Sequence, residues 1–455
     1  MNEAPVRPST LRLLAAVLLN GVGLNLVLAY VFHFGTTLRY AGAFLQAQAK
    51  LSDSWGLMRQ ALHYMDKGKD KPIYTGFFFE QHAKFQYPPS SLLPFELLRK
   101  VPGVDLISNR ALDIISWFFM LGALVLVALI FDHASRKAGE ASADRPVDRW
   151  LRVAIAVGAS LTFYPLIRSF GIGQIQTWID CLCAGVIFAY LRGKKDVAGV
   201  LTALICVLKP QLGLLVVWAA LRKEWRFVIG WAAAFSVVML AALVTYGLAN
   251  HLDYLPAISF MSKHGESFNH NQSVNGLLHR FLFNGNNLQW VARGFPPYHP
   301  VVHVGTSVTT AIFVGMALFY RRAEYGRAEL TDLSIAMLSF TIASPIAWEH
   351  HYGLLPPILA LAVPATLAAG KRLPLGAPVL VVVLLLCSNF YQFTDRFATS
   401  RLNVVQSYLF FGALLLLVHL YRLRRLEQGE AGGQAVIAEE PSPQPEKAAE
   451  VAEAG

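Results

Sequence analysis

Residues 13–34 read LLAAVLLNGVGLNLVLAYVFHF, a run without a single Lys, Arg, Asp or Glu. A helix needs about 20 predominantly apolar residues to cross the hydrocarbon core of a bilayer, and this run meets that length. A secretory signal peptide is the alternative, but its apolar core spans only about 7–15 residues. No clean small-x-small cleavage site precedes the next polar stretch. We therefore interpret the run as a retained membrane-spanning helix.

Eleven further apolar segments follow the first helix along the chain. Only 15% of the residues are charged, against about 25% in an average soluble domain. The sequence therefore predicts an all-α polytopic membrane protein with about 12 transmembrane or half-membrane helices. The later segments lie at residues 111–131, 151–167, 174–191, 196–208, 211–221, 227–248, 301–320, 330–344, 353–369, 373–391 and 403–421. The fifth and sixth helices are too short to span upright and predict a shallow hairpin bent at Lys209 and Pro210.

Three polar stretches divide the chain. Residues 34–110 form a long first loop that we expect to carry interfacial helices, and residues 249–300 form a second large loop. From residue 426 to 455 the chain is rich in Ala, Glu, Gly and Pro without apolar periodicity, which is typical of disorder. We therefore predict one transmembrane domain over residues 1–425, followed by a disordered cytoplasmic tail.

The basic residues indicate which loops face the cytoplasm. The net charge of +10 comes from short clusters between apolar runs and not from one continuous face, so no nucleic-acid partner is indicated. The clusters fall on alternate junctions, which the positive-inside rule places in the cytoplasm: 136–137, 192–195, 222–223, 321–322, 371–372 and 422–425. This predicts a multi-pass protein of the cell (inner) membrane with both termini cytoplasmic. The two large loops are then extracytoplasmic.

Asp53 begins an amphipathic stretch in the first loop. Trp55, Met58, Leu62 and Met65 recur at helical spacing after it, which predicts a helix lying on the membrane surface. Asp is a preferred N-cap residue, so the side chain could simply cap this helix. It could also act as a carboxylate base that takes a proton from an incoming hydroxyl. The two roles compete for the same oxygens.

Lys209 lies between two apolar half-helices, where an unpaired ammonium is costly. It can reach the interface by snorkelling, or it can contact a lipid phosphate. Arg168 and Gln174 flank Gly171 and Gly173 in a predicted outer turn and could supply further donors, although ordinary turn roles are equally open.

A second polar motif, Asn271-Gln272-Ser273-Val274-Asn275-Gly276, is followed closely by Arg280. Amides, a hydroxyl and a guanidinium can bind sugar hydroxyls or phosphate, and a capped helix start is the alternative.

Residues 344–352, SPIAWEHHY, form the densest polar cluster at a helix junction. An interfacial belt accounts for the Trp and Tyr but not for His350 and His351. Consecutive side chains on a helix point about 100° apart, so the two imidazoles do not form a joint metal-ligand pair. One imidazole donating to a phosphate is the simpler hypothesis.

Together these motifs resemble glycosyltransferase family 87, the polyprenyl-phosphate-sugar-dependent, mannosyltransferase-like enzymes of the C-fold class of membrane glycosyltransferases. The resemblance covers the chain to about residue 425. It rests on Asp53, on residues 68–74 with Pro72, on Tyr87-Pro88-Pro89, Gly173-Gln174, Lys209-Pro210, Asn271–Gly276 with Arg280, and Ser344-Pro345-x-x-Trp348-x-His350-His351. Gly173-Gln174-Ile175-Gln176 departs from the family's more usual Gly-Gln-x-Asn, and Ser54-Trp55 replaces a hydrophobic and aromatic run.

The resemblance implies a hexosyltransferase that moves a sugar, typically mannose, from a polyprenyl-phosphate donor to a hydroxyl of a glycan or glycolipid acceptor outside the membrane. It implies that Asp53 is the general base and that His350 or His351 contacts the donor phosphate. Lys209, Arg280 and Gln174, with Asn271, Gln272 and Asn275, are implied donor phosphate or sugar contacts. A monophosphate carrier lacks the pyrophosphate that commonly recruits a divalent metal, so we expect no metal and no cofactor.

Two other functions remain to be weighed. A flippase or transporter of lipid-linked sugars would also bring polar groups into a membrane protein, but it places them near the bilayer midplane. Here the polar motifs, apart from the Lys209 hairpin, fall on the junctions of one side, which favours the enzyme. A non-catalytic scaffold is disfavoured by the density of polar groups that would need a role.

Overall fold

The computed structural model describes residues 8–68, 70–140, 146–320 and 327–439. The regular secondary structure in these ranges consists of helices, which turns and loops connect. The α-helices are α1 (Pro8–Val17), α2 (Leu24–Tyr30), α3 (Thr36–Leu45), α4 (Asp53–Asp66), α5 (Leu93–Arg99), α6 (Asn109–Ser135), α7 (Pro146–Leu161), α8 (Tyr164–Gly171), α9 (Gln176–Leu191), α10 (Lys195–Leu208), α11 (Leu214–Leu221), α12 (Trp225–His264), α13 (Val274–Phe281), α14 (Pro300–Phe319), α15 (Arg327–Ile342), α16 (Leu355–Ala369), α17 (Gly376–Ser388) and α18 (Tyr408–Glu439).

Short π-helical and 3-10 segments join these helices. The π segments are Leu18–Gly23, Tyr74–Glu80 and Arg136–Glu140; the 3-10 segments are Pro89–Leu92, Pro210–Gly213, Glu349–Leu354, Gly370–Arg372, Gln392–Phe397 and Arg401–Ser407. Within the described ranges the only β pairing is one isolated bridge between Asn271 and Trp348. The predicted all-α class is therefore confirmed.

Fewer helices than predicted are long enough to cross a bilayer. Among the described residues six qualify: Arg12–Tyr30, Asn109–Ala138, Trp225–His264, Pro300–Phe319, Glu349–Arg372 and Arg401–Gly429. Helices α7 and α8 together make a seventh if the bent pair counts as one span. All twelve predicted segments occur as helices, but the count of about 12 as spans is not confirmed. Several of them, such as α9 and α17, are apolar but shorter than a full span.

A proline accounts for the difference at the third predicted helix. Residues 151–167 were expected to be continuous, whereas α7 ends at Leu161 and α8 begins at Tyr164 with an axis bent by 61°. Pro165 lies in the first turn of α8, where its missing N–H costs no hydrogen bond. The bend at Lys209 and Pro210 is present as predicted, because Lys209 leaves helical geometry between α10 and the 3-10 turn.

Amide side chains attach the first span to the rest of the bundle. Asn20 Nδ2 donates to Ser388 Oγ at 2.7 Å, and Asn25 Nδ2 donates to Asn389 Oδ1 at 3.0 Å. Asn389 Nδ2 in turn donates to Asn20 Oδ1 at 3.0 Å. These bonds satisfy polar groups within an apolar environment and fix α1 and α2 beside the end of α17.

The last helix extends beyond its predicted end. We expected a disordered tail over residues 426–455; α18 continues to Glu439, and the disorder of the tail stays a prediction. Residues 426–439 hold three Ala, three Glu and two Gln, which are good helix formers, beside three Gly. Glu427 still contacts the bundle, because Thr331 Oγ1 donates to its carboxylate at 2.7 Å. The rest of the predicted tail, residues 440–455, lies outside the described residues.

Candidate active site

Helix α4 carries Asp53 at its first position. The predicted apolar face is present, since Trp55, Met58 and Leu62 are buried. This face packs on protein and not on lipid: the Trp55 ring lies 6.0 Å from that of Phe95 and 5.8 Å from that of Trp178. The aromatic contacts fix the start of α4 against α5 and α9.

The capping alternative for Asp53 is not what the structure shows. Ser52 occupies the N-cap position without a side-chain cap bond, and the Asp53 backbone N–H donates to Ile172 O at 2.9 Å. Among the described residues, the hydrogen bond to the Asp53 carboxylate comes from the Gln174 side chain. The Asp53 carboxylate oxygens therefore do not cap the helix N-terminus.

The turn from Gly171 to Gln174 docks directly on the start of α4. Lys50 N–H donates to Gly171 O at 2.8 Å, and Ser54 N–H donates to Gly173 O at 3.1 Å. Gly173 has φ +67°, and a Cβ there would lie 2.5 Å from Leu51 O. Only glycine permits both this left-handed backbone and this close approach. The glycine that the sequence singled out thus sets the position of Asp53.

Gln174 connects Asp53 to two hydroxyl groups. Its Nε2 donates to Asp53 Oδ2 at 2.5 Å. Its Oε1 accepts from Ser54 Oγ at 2.6 Å and from the Tyr87 hydroxyl at 3.1 Å. Ser54 Oγ also accepts from Ile175 N–H at 3.2 Å. The Gln174 side chain is buried, and both its amide nitrogen and its amide oxygen bond protein groups.

The Asp53 side chain can be reached from outside the protein. More than a third of the residue surface is exposed, yet the surrounding protein desolvates the carboxyl enough to raise its pKa above the ordinary value. The hydrogen bond from Gln174 and the charge of Arg168 oppose this rise. A carboxylate that solvent can reach, with a raised pKa, is suited to general-base chemistry.

Arg168 on α8 is held near enough for its charge to act on Asp53. Its Nη1 donates to the Tyr164 hydroxyl at 2.6 Å, and its Nε lies 3.6 Å from Glu349 Oε2. Tyr164 donates to the same Glu349 oxygen at 3.0 Å, and His270 Nε2 lies 3.7 Å from it. A buried carboxylate thus orients a guanidinium whose charge acts on Asp53.

Lys209 enters the site from the bend after α10. Its Nζ donates to Gln176 Oε1 at 2.7 Å, and Gln176 Nε2 donates to Asp180 Oδ1 at 2.8 Å. The 3-10 turn 349–354 closes over Asp180, because a Cβ on Gly353 would lie 2.1 Å from Asp180 Oδ2.

His350 and His351 lie in the same turn. Lys209 is close enough for its charge to act on both imidazoles, and Arg168 is close enough to act on His350. His351 Nδ1 accepts from Trp348 N–H at 3.2 Å, which leaves Nε2 of that ring for another partner. The structure therefore brings Lys209 and the histidine pair into one cluster with Arg168.

The Asn271–Arg280 motif is arranged differently. Its predicted site side chains are at most 1% exposed: Asn271, Gln272, Asn275 and Arg280. Asn271 Nδ2 donates to Glu266 O and Pro345 O, and Gln272 Nε2 donates to Asn269 O and Gln406 O. Arg280 donates to Asn271 O at 3.0 Å and to Ser407 Oγ at 2.6 Å.

These bonds connect the 265–276 loop to the loop before the histidines and to the start of α18. The expected alternative, a capped helix start, is also present, since Ser273 Oγ accepts from Gly276 N–H. The motif therefore stabilises the loops that carry the site, and its predicted contact with the donor stays a prediction.

The sequence reasoning did not select three residues of the cluster: Glu349, Tyr164 and Asp180. Glu349 lies within the SPIAWEHHY stretch, and a carboxylate between apolar segments was the available signal. Tyr164 and Asp180 lie in apolar helices, where one polar residue gives little indication of its partner. Arg168 was noted as a possible donor, and in the structure it contacts Tyr164 and Glu349 and acts by its charge on Asp53.

Comparison with known proteins identifies the family of the chain. A model of the family described as glycosyltransferase family 87 matches residues 85–345, more than half of the chain. The matched region contains Arg168, Gln174, Lys209 and the Asn271 motif; it begins after Asp53 and ends before the histidine pair. No curated protein and no solved structure matches the chain.

Proposed function

The chain belongs to glycosyltransferase family 87, and from this premise we propose that it transfers a hexose, mannose first among the candidates, from a polyprenyl-phosphate carrier to an acceptor hydroxyl. The observation that carries this proposal is the placement of one solvent-reachable carboxylate, Asp53, beside the cation Arg168. A base with a cation near enough for its charge to act on it suits the displacement of a lipid phosphate by a hydroxyl.

Asp53 acts in this reaction as the general base. The acceptor oxygen attacks the anomeric carbon as Asp53 takes the hydroxyl proton. The bond from the anomeric carbon to the phosphate oxygen breaks, and the electron pair leaves with the lipid phosphate. A single displacement of this kind inverts the anomeric configuration. It needs one carboxylate, in contrast to the pair in glycoside hydrolases, because a phosphate leaving group does not need protonation by a general acid.

Arg168 and Lys209 stabilise the leaving phosphate. Glu349 and Tyr164 hold the Arg168 guanidinium in place, so its orientation costs little when charge develops in the transition state. Lys209 is anchored by Gln176, and an imidazole of His350 or His351 can donate to the same phosphate. Because these groups meet the phosphate charge, we propose that the reaction needs neither a metal nor another cofactor.

The site faces the extracytoplasmic side in this proposal. Helix α9 begins at Gln176 in the site and ends at Leu191, just before the basic cluster 192–195. Helix α16 begins after the histidine turn and ends before Lys371 and Arg372. Both basic clusters thus lie at the helix ends opposite the site. The positive-inside rule makes that end cytoplasmic, which supports an extracytoplasmic site in the cell membrane.

The test uses the purified full-length protein in lipid nanodiscs with a panel of polyprenyl-phosphate sugars and glycan or glycolipid acceptors. We expect release of free polyprenyl phosphate with at least one donor. Asp53→Asn should lower kcat by about 10²–10⁴-fold, the usual contribution of a general base. Asp66→Asn is the matched control, because Asp66 ends the same helix and pairs with Arg99 on the surface.

The outcomes separate the alternatives. Release of no polyprenyl phosphate with any donor and acceptor would refute the transferase, and movement of intact lipid-linked sugar across the bilayer would favour a flippase. Full activity of Asp53→Asn would refute only the base assignment and would make Glu80 the next candidate. Loss of activity in EDTA with recovery in Mn²⁺ would refute the metal-free mechanism.

A further inference from the structure

We infer that Gln174 is a positioning residue for the base: its amide holds Asp53 Oδ2 in the ionised state and leaves Oδ1 as the atom that receives the acceptor proton. This inference rests on the proposed function, and it differs from a donor contact, the role expected of Gln174 from the family resemblance. It also gives Ser54 and Tyr87, which the proposed mechanism does not use, the role of orienting the Gln174 amide.

The hydrogen bonds around Gln174 fix which way its amide points. The carbonyl Oε1 receives the Ser54 hydroxyl at 2.6 Å and the Tyr87 hydroxyl at 3.1 Å. With both hydroxyls donating to Oε1, the NH₂ group faces Asp53, whose ionised carboxylate can only accept. Burial raises the pKa of the Tyr87 phenol, which keeps it a neutral donor. The Ser54 oxygen, which accepts from Ile175 N–H, keeps its proton for Gln174.

This orientation favours one protonation state of Asp53. An NH₂ group 2.5 Å from Oδ2 stabilises the carboxylate, whereas a carbonyl oxygen at the same place would require a protonated carboxyl. The charged and titratable groups that face Asp53 from neighbouring elements are Arg168 on α8 and Tyr87 on the loop before Pro88. Gln174 therefore adds to Arg168 in opposing the desolvation of the base.

The geometry also selects the reacting oxygen. Oδ2 accepts the hydrogen bond from the buried Gln174, and more than a third of the Asp53 residue surface remains exposed. Among the described residues no partner is seen for Oδ1, which is therefore the oxygen available to an acceptor hydroxyl. Gln174 is held by Ser54 and Tyr87 in turn, so three residues act through one carboxylate oxygen.

The test compares kcat–pH profiles of the purified enzyme and two variants. Gln174→Met has a similar length and no hydrogen-bonding amide, and Tyr87→Phe keeps the amide but removes one hydroxyl that orients it. Thr177→Val is the matched control, because Thr177 is buried one turn along the same segment and bonds Ser169 Oγ. Folding is monitored by thermal unfolding in the same nanodiscs.

For Gln174→Met we expect the acid limb of the kcat profile to move to higher pH by about one unit, which is a tenfold loss of activity at pH values on that limb. Activity should recover towards the wild-type value as the pH rises, and the KM for the donor should not change. Tyr87→Phe should shift the limb less, in the same direction, and Thr177→Val should not shift it. If Gln174→Met does not fold, the Tyr87→Phe shift decides the matter.

An unshifted acid limb in a folded, weakly active Gln174→Met or Tyr87→Phe variant would overturn the inference. A raised donor KM with an unshifted limb would return Gln174 to the role of donor contact. Neither result affects the proposed function, because the wild type would still release polyprenyl phosphate. An inactive wild type, by contrast, would remove the proposed function itself.

Discussion

The substitution Gly173→Ala tests whether the turn before α9 sets the position of Asp53. Gly173 adopts φ +67°, and its carbonyl accepts from Ser54 N–H, the residue directly after the base. A Cβ at Gly173 would lie 2.5 Å from Leu51 O and 3.1 Å from Ser52 Cα, and both of these atoms are backbone. The added methyl group must therefore displace the backbone segment that leads into Asp53.

The size of the effect follows from these distances. Ordinary van der Waals contact begins near 3.4 Å, so Leu51 O must retreat by about 0.9 Å to relieve a contact of 2.5 Å. A shift of about 1 Å in a reacting group costs about 10²-fold in rate. The left-handed backbone adds about 1–2 kcal/mol of strain for alanine. We expect kcat to fall about a hundredfold.

Gly193→Ala supplies a control with the same strain and no contact. Gly193 has φ +72° in the turn after α9, and a Cβ there meets nothing within 4 Å. Transfer rates and apparent melting temperatures of both variants should be measured in nanodiscs. We expect both to lose some stability and Gly173→Ala alone to lose most of its activity. Activity of Gly173→Ala within twofold of Gly193→Ala would refute the reasoning.

Three other predictions address the charge and the scaffold of the site. The pKa of Asp53 is raised, so the base, ionised at neutral pH, becomes protonated as the pH falls through this raised value. The acid limb of the wild-type kcat profile should therefore lie above about pH 3.9, the ordinary Asp value. A limb at or below that value would contradict the assignment of Asp53 as the base. Lys84→Ala should destabilise the fold by about 3–5 kcal/mol, because it leaves Glu266 buried without its 2.7 Å partner, whereas Lys84→Met combined with Glu266→Gln should recover much of the loss in thermal unfolding. Asn271→Ala should lower the melting temperature together with kcat while leaving the donor KM unchanged, since Asn271 bonds protein groups; a raised donor KM in a fully stable variant would instead indicate a direct contact.

The helices were predictable because their signal is local. An apolar run reports the environment of its own residues, so each of the twelve segments is helical, although residues 151–167 form two helices and α12 runs to His264, beyond its predicted end. The number of spans was not predictable in the same way. Whether a 16-residue helix such as α9 meets lipid or protein depends on its neighbours, and Trp178 and Ile179 in α9 are in fact buried.

The candidate base was predictable for a related reason. Asp53 follows a polar loop and precedes an apolar stripe, so the sequence alone shows a carboxylate at the start of an amphipathic helix. Its partners were not predictable, because Gln174 Nε2 and Asp53 Oδ2 meet across 121 residues of sequence. The alternative of capping could be removed only by seeing where those oxygens point.

The Asn271 motif shows why polar residues near a site need not touch a substrate. A loop that passes close to a recess has no regular secondary structure to satisfy its backbone, so side chains must supply the hydrogen bonds. Asn271 Oδ1 accepts from Ala347 N–H at 2.9 Å, and Gln272 N–H donates to Ala347 O at 2.7 Å. These bonds hold the segment that leads into Glu349 and the histidine pair. A motif dense in amides is therefore as consistent with supporting the structure of a site as with binding its ligand. The two roles differ in which polar atoms remain available for a ligand. Asp53 Oδ1 remains available, and the amide groups of Asn271 and Gln272 do not.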